Sequence, residues 1–131
     1  MVEVLKSTSK ASERREEEIG AFCRALAERY RPVRITLFGS FASDSARADS
    51  DVDLLIEMRK VESALGMAAA IIRDIRPRFA VDLLVRTPRQ VKERLRLGDP
   101  FMAEIISSGK VMYEAAHRWD GSVTTSSFST R

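Results

Sequence analysis

The sequence predicts an α/β architecture of the α+β kind, a small mixed β-sheet with helices packed on one face, and three observations predict it. Short β-prone runs recur at residues 33–38, 51–56 and 80–85. Helical periodicities lie before, between and after them. The second and third runs each carry an aspartate in the phase opposite to their aliphatic residues. A chain of 131 residues suffices for one domain of ordinary size and is too short for two.

The elements follow in order. Ile19, Phe22, Cys23, Leu26 and Tyr30 are spaced by three or four, behind the mixed charges of Arg14 to Glu18, so residues 10–30 read as an amphipathic helix. The charge run is a solvated face, and Cys23 on the apolar side is a core filler. Pro32 ends the helical pattern, and Val33-Arg34-Ile35-Thr36-Leu37-Phe38 alternates as a strand that stops at Gly39. Residues 41–50 are small and polar, suited to a short helix followed by a loop. Asp51-Val52-Asp53-Leu54-Leu55-Ile56 is a second strand, with Asp51 and Asp53 on one face and Val52, Leu54 and Ile56 on the other.

Val61, Leu65, Ala68, Ile72 and Ile75 repeat as the buried stripe of a second helix, and Pro77 lies just past its end. In the third strand, Ala80 to Val85, the packed side is Val81, Leu83 and Val85, with Asp82 opposite. Thr87-Pro88-Arg89-Gln90 has the form of a capping box and opens another helix. Gly98 ends it, Asp99-Pro100 starts a further helix through Ile106, and Gly109 stops that one before the apolar run Val111-Met112-Tyr113. The domain is therefore expected over residues 10–114. Residues 115–131 read as a flexible tail: from Gly121 onward seven of eleven residues are Ser or Thr without apolar period, and Trp119 and Phe128 are its candidate partner contacts.

Composition narrows the chemistry. Hydrophobic residues make up 44% and charged residues 31%. No stretch approaches the roughly 20 apolar residues of a membrane span, and residues 1–10 lack the apolar core of a signal peptide, so the expected location is cytoplasmic with no membrane partner. The single cysteine excludes an internal disulfide, and the single histidine, His117, makes a zinc site or a His-dependent triad hard to build. Catalysis here would run on carboxylates. The net charge of +3 falls well short of a clustered basic stripe, and no direct nucleic-acid binding is expected.

Three features sit at element ends that could converge: Gly39-Ser40 after the first strand, Asp51 and Asp53 on the second, and Asp82 on the third. A strand that ends in Gly-Ser lets the backbone approach a ligand closely, offers a hydroxyl and aims the N–H groups of a following helix at it, as phosphate binding requires. Two aspartates two apart on a strand project side by side and can bridge divalent cations, and a third from a neighbouring strand completes an oxygen-rich magnesium site. The bland alternative is ordinary aspartates on the wet face of an antiparallel sheet. Its difficulty is electrostatic, since two like charges about 4 Å apart repel by about 1 kcal/mol in water and about 4 kcal/mol at an effective dielectric of 20. A bound cation relieves that cost.

Leu37-Phe38-Gly39-Ser40, ten residues, then Asp51-Val52-Asp53-Leu54-Leu55, and later Val81-Asp82-Leu83-Leu84, resemble the nucleotidyltransferase domain of the DNA polymerase beta superfamily. The likeness is greatest to the minimal nucleotidyltransferases, the antitoxin-like partners of HEPN-domain toxins. It runs from Ile19 to Glu114 and includes a closing Gly109-Lys110-Val111-Met112-Tyr113-Glu114. The resemblance implies a polymerase beta-like fold, with Gly39 and Ser40 holding a triphosphate. It implies that Asp51 and Asp53 ligate two magnesium ions (Mg2+), and that Asp82 ligates the catalytic one and helps to deprotonate the acceptor. The implied reaction is attack of a hydroxyl on the α-phosphate of ATP with release of pyrophosphate. The implied acceptor is a tyrosine of a partner HEPN ribonuclease toxin, silenced by AMPylation, which makes the chain the antitoxin of a toxin-antitoxin system.

Many relatives read Gly-Ser-Arg-Ala-Arg-Gly where this chain has Gly39-Ser40-Phe41-Ala42-Ser43-Asp44, without either arginine. Arg47 could replace that phosphate contact or be a solvent-facing loop residue. Two other functions stay open beside the enzyme: a catalytically silent antitoxin that masks a HEPN toxin by contact, and a small-molecule nucleotidyltransferase of the aminoglycoside-modifying kind.

Overall fold

The structure, a computed structural model, describes residues 2–47 and 49–115, with side chains from residue 13 onward. The expected tail from residue 116 onward, with Trp119 and Phe128, lies outside the described residues. Helix α1 spans Val2–Tyr30, strand β1 Arg34–Phe38, strand β2 Val52–Glu57, and helix α2 Ala64–Ile75. Strand β3 spans Val81–Arg86, helix α3 Pro88–Arg96, helix α4 Pro100–Ser108, and strand β4 Lys110–Glu114. The strands form one mixed sheet in the order β3-β2-β1-β4. β1 is antiparallel to β2 and β4, whereas β2 and β3 run parallel, joined through α2.

The α+β class and the mixed sheet are as the sequence predicts, but the helices divide between the two faces. α1 supplies Ile19, Phe22, Cys23 and Leu26 and α2 supplies Ile71 to a core with Ile35, Leu37, Val52, Leu54, Ile56 and Val85. On the other face α3 and α4 place Val91, Met102 and Ile105 over Leu55, flanked by Phe38 and Leu84. Each fully buried aliphatic side chain contributes roughly 1.5–3 kcal/mol. β2 buries residues on both faces, as befits a strand with helices packed over either face of its sheet.

Three expectations change. Helix α1 reaches back to Val2, beyond residue 10, where the sequence reading starts it. The stripe of α2 is rotated: Ala64, Met67, Ala68, Ile71 and Ile75 pack on the core, whereas Leu65 is 84% exposed and Ile72 is also exposed. Its sequence, ALGMAAAIIRDI, is apolar around most of its circumference, so spacing alone does not phase it. The helix also starts only after the Ser63 cap, which leaves Val61 outside it.

Third, the described residues of the 41–50 segment form no α-helix. Only a 3-10 turn at Gly39–Phe41 is present, followed by turns and loop. Side chains compete with a helix there: Ser43 Oγ bonds the Ser40 carbonyl at 3.3 Å, the Arg47 amide donates to Ser50 Oγ at 2.8 Å, and Asp44 is left-handed at φ 62°.

The helix stops and starts of the second half agree with the sequence. The Thr87 amide donates to Gln90 Oε1 at 2.9 Å and the Gln90 amide to Thr87 Oγ1 at 3.1 Å, a complete capping box. Asp99 caps α4, accepting from the Phe101 amide at 2.9 Å. Its carboxyl is held below the usual range by the hydrogen bond from Arg94 and by the amides of Met102 and Phe101. No described helix is long and apolar enough to cross a membrane.

Candidate active site

The second face of the sheet is ordered in rows. Register aligns Phe38, Asp53 and Asp82 across β1, β2 and β3. Thr36, Leu55 and Leu84 form the next row, and Arg34, Glu57 and Arg86 the one after. The middle row is the floor on which α4 packs. In the last row Glu57 is buried and held by Arg34 at 3.0 Å, and Arg34 also reaches Glu114 at 3.2 Å. The first row opens into a cleft of about 560 Å³, within the range of small-molecule sites. Strand alternation thus keeps aliphatic residues inside while the aspartates of the same strands reach the cleft.

Gly39 is at φ 80°, a conformation that favours glycine. A Cβ there would collide with the Asp53 carboxylate and lie 3.2 Å from its Cγ. Position 39 is therefore restricted twice, by backbone and by space. Gly109 plays a related part at the far end of α4, where an added Cβ would meet the Ile105 carbonyl and lie 2.6 Å from Thr36 Cγ2. That close approach seats the α4–β4 turn on the sheet.

The structure brings Gly39, Asp53 and Asp82 to the cleft lining. Ser40 lies in the 3-10 turn beside it and Asp51 immediately precedes β2; neither lines the cleft. Asp51 is nonetheless close enough in charge to act on Asp53. Burial, then Asp82, then Asp51 push the Asp53 carboxyl above its ordinary value. Arg47 is exposed in the loop and does not line the cleft.

Among the described residues no three acidic, His or Cys side chains stand together as a preformed cation cage. The donor set still fits a hard divalent cation, because carboxylate oxygens are its preferred ligands and Asp53 and Asp82 stand side by side in the cleft lining.

The other wall of the cleft has no counterpart among the sequence-derived candidates. It is built by α4 and includes Phe101, Glu104 and Ser108. Phe101 meets Phe38 edge to face, with ring centroids 5.8 Å apart and planes at 81°. Their spacing of three and four residues was legible as a helix face. What the sequence lacks is a sign that this face lies opposite Asp53.

A family model described as "Nucleotidyltransferase domain" matches residues 19–113. Among solved structures the chain is similar to a candidate nucleotidyltransferase from Sulfolobus solfataricus, at 18% identity and a TM-score of 0.59, covering 82% of this chain and 87% of that one. It is also similar to a toxin-antitoxin structure with AMP-PNP, at 18% identity and a TM-score of 0.49, covering 73% of each chain. No curated protein matches.

Proposed function

From the premise that the chain belongs to the nucleotidyltransferase domain family, and is an enzyme of that class, we propose that it transfers AMP from ATP to a hydroxyl of a protein partner. The partner in this reading is a HEPN ribonuclease toxin, the hydroxyl is a tyrosine, and the chain is the antitoxin. The observation that carries the catalytic part is the row in which Asp53 and Asp82 lie side by side on parallel strands, with Gly39 against Asp53. The likeness of Gly39-Ser40, Asp51-Val52-Asp53 and Val81-Asp82 to the minimal nucleotidyltransferases supports the partner.

In this reading Gly39 and Ser40 receive the triphosphate, and Asp51, Asp53 and Asp82 hold divalent cations, two Mg2+ in number. Such cations neutralise phosphate charge and lower the pKa of the acceptor hydroxyl. The acceptor oxygen forms a bond to the α-phosphorus as the bond from that phosphorus to the bridging oxygen breaks, and pyrophosphate leaves. Asp82 takes the hydroxyl proton. Asp53 and Gly39 contribute alignment, since a rigid strand and a side chain-free approach fix the reacting groups in line.

The test uses ATP labelled at the α-phosphate, magnesium, the full chain and a candidate HEPN partner protein. Label moves to the partner with the wild type and not with Asp51→Asn plus Asp53→Asn. If that double variant neutralises the toxin as well as the wild type and no label moves, masking by contact replaces catalysis. Modification of an aminoglycoside without a protein partner would assign a small-molecule enzyme instead.

A further inference from the structure

Building on the reading of the cleft as a nucleoside triphosphate site, we propose that its α4 wall is the nucleobase subsite, where Phe101 stacks on the base and Glu104 selects a base bearing an exocyclic amino group. The two walls differ in chemistry. One carries Gly39, Asp53 and Asp82, the other Phe101 and Glu104. No Lys or Arg lines the cleft among the described residues, and on the α4 wall the Glu104 carboxylate repels a triphosphate with only the Ser108 hydroxyl to offset it. Phosphates with their cations belong against the strand carboxylates, and the base is left facing α4.

Phe101 suits a stacking platform. It is 55% exposed, an open apolar surface beside the cleft, and its ring meets that of Phe38 edge to face. Its backbone is fixed by the Asp99 cap. Met102 and Ile105, both buried, pin the helix to the sheet, so the platform is held before any ligand arrives. Bases of every kind stack on such a ring, which gives affinity without selectivity.

Glu104 adds the selectivity. It stands one turn along from Phe101 and lines the same cleft, and its carboxylate has no ion pair or hydrogen bond among the described residues. An ionised carboxylate only accepts hydrogen bonds. It matches the exocyclic amino group of adenine, cytosine or guanine and opposes the carbonyl oxygen that uracil presents where cytosine has its amino group.

Calorimetric titration of the full chain with magnesium and ATP, CTP, UTP or inorganic tripolyphosphate tests this. The wild type should bind ATP and CTP about tenfold more tightly than UTP. Phe101→Ala should weaken ATP about tenfold and leave tripolyphosphate unchanged within about twofold. Glu104→Gln should bring ATP and UTP within about twofold of each other, because an amide both donates and accepts. Equal binding of all three nucleotides by the wild type, or unchanged nucleotide affinity in both variants, overturns the subsite while the triphosphate reading stands. Loss of tripolyphosphate along with ATP in Phe101→Ala overturns it as well. If neither nucleotides nor tripolyphosphate bind the wild type, the triphosphate reading itself fails and the subsite with it.

Discussion

Gly39 closes on Asp53 so tightly that position 39 has no room for a methyl group, and its φ of 80° would strain any side chain placed there. The close approach brings the end of β1 against the Asp53 carboxylate, and both residues line the cleft.

Gly39→Ala therefore displaces Asp53 or the turn. The expected result is a loss of at least about tenfold in nucleotidyl transfer, with a destabilisation of about 1–2 kcal/mol from the left-handed backbone. Urea unfolding and the label-transfer assay measure the two effects separately.

Asp53 gives a pH-dependent prediction whose sign is set by its raised pKa. The folded state holds that proton more tightly than the unfolded chain, so the benefit is full below the ordinary carboxylate value and is lost as pH rises through the raised one. Without divalent cations, Asp53→Asn should raise the melting temperature at neutral pH, and the gain should vanish near about pH 3, below the usual aspartate pKa. Magnesium should stabilise the wild type and not the variant. Thermal melts across pH with and without EDTA check both halves.

Thr36 is buried, and its Oγ1 has no hydrogen-bond partner among the described residues. A hydroxyl of this kind carries a desolvation cost that a methyl of similar volume does not. Thr36→Val should stabilise the protein by about 1 kcal/mol, read from the urea midpoint at unchanged slope. A destabilised variant would show that a buried water satisfies the hydroxyl.

Cys23 is buried on α1, and burial pushes its thiol up to about 12. The native protein should react with a thiol reagent at neutral pH far more slowly than the unfolded chain. Labelling in a urea series should then follow the global unfolding transition measured by circular dichroism.

The strands, helix caps and aspartate phase were legible in the sequence because each rests on local chemistry. Val52, Leu54 and Ile56 alternate with Asp53, and Thr87 with Gln90 closes its own hydrogen bonds. The phase of α2 was not legible, since Leu65 and Ile71 are equally apolar and only the tertiary contact chooses between them. Nor was the division of helices between the faces, which depends on the path of the chain after β3. The carboxylate wall could be read from Asp53 and Asp82. Phe101 and Glu104 could not, because nothing local says that α4 lies across from those strands.

The central claim is that Asp53 and Asp82 handle a nucleotide's phosphates through shared cations. A crystal structure of the full chain with Mn2+ and a non-hydrolysable ATP analogue, with anomalous scattering recorded at the manganese edge, tests it most directly. The account predicts manganese coordinated by both carboxylates with the triphosphate against Gly39; manganese bound elsewhere, or a nucleotide that avoids this row, contradicts it.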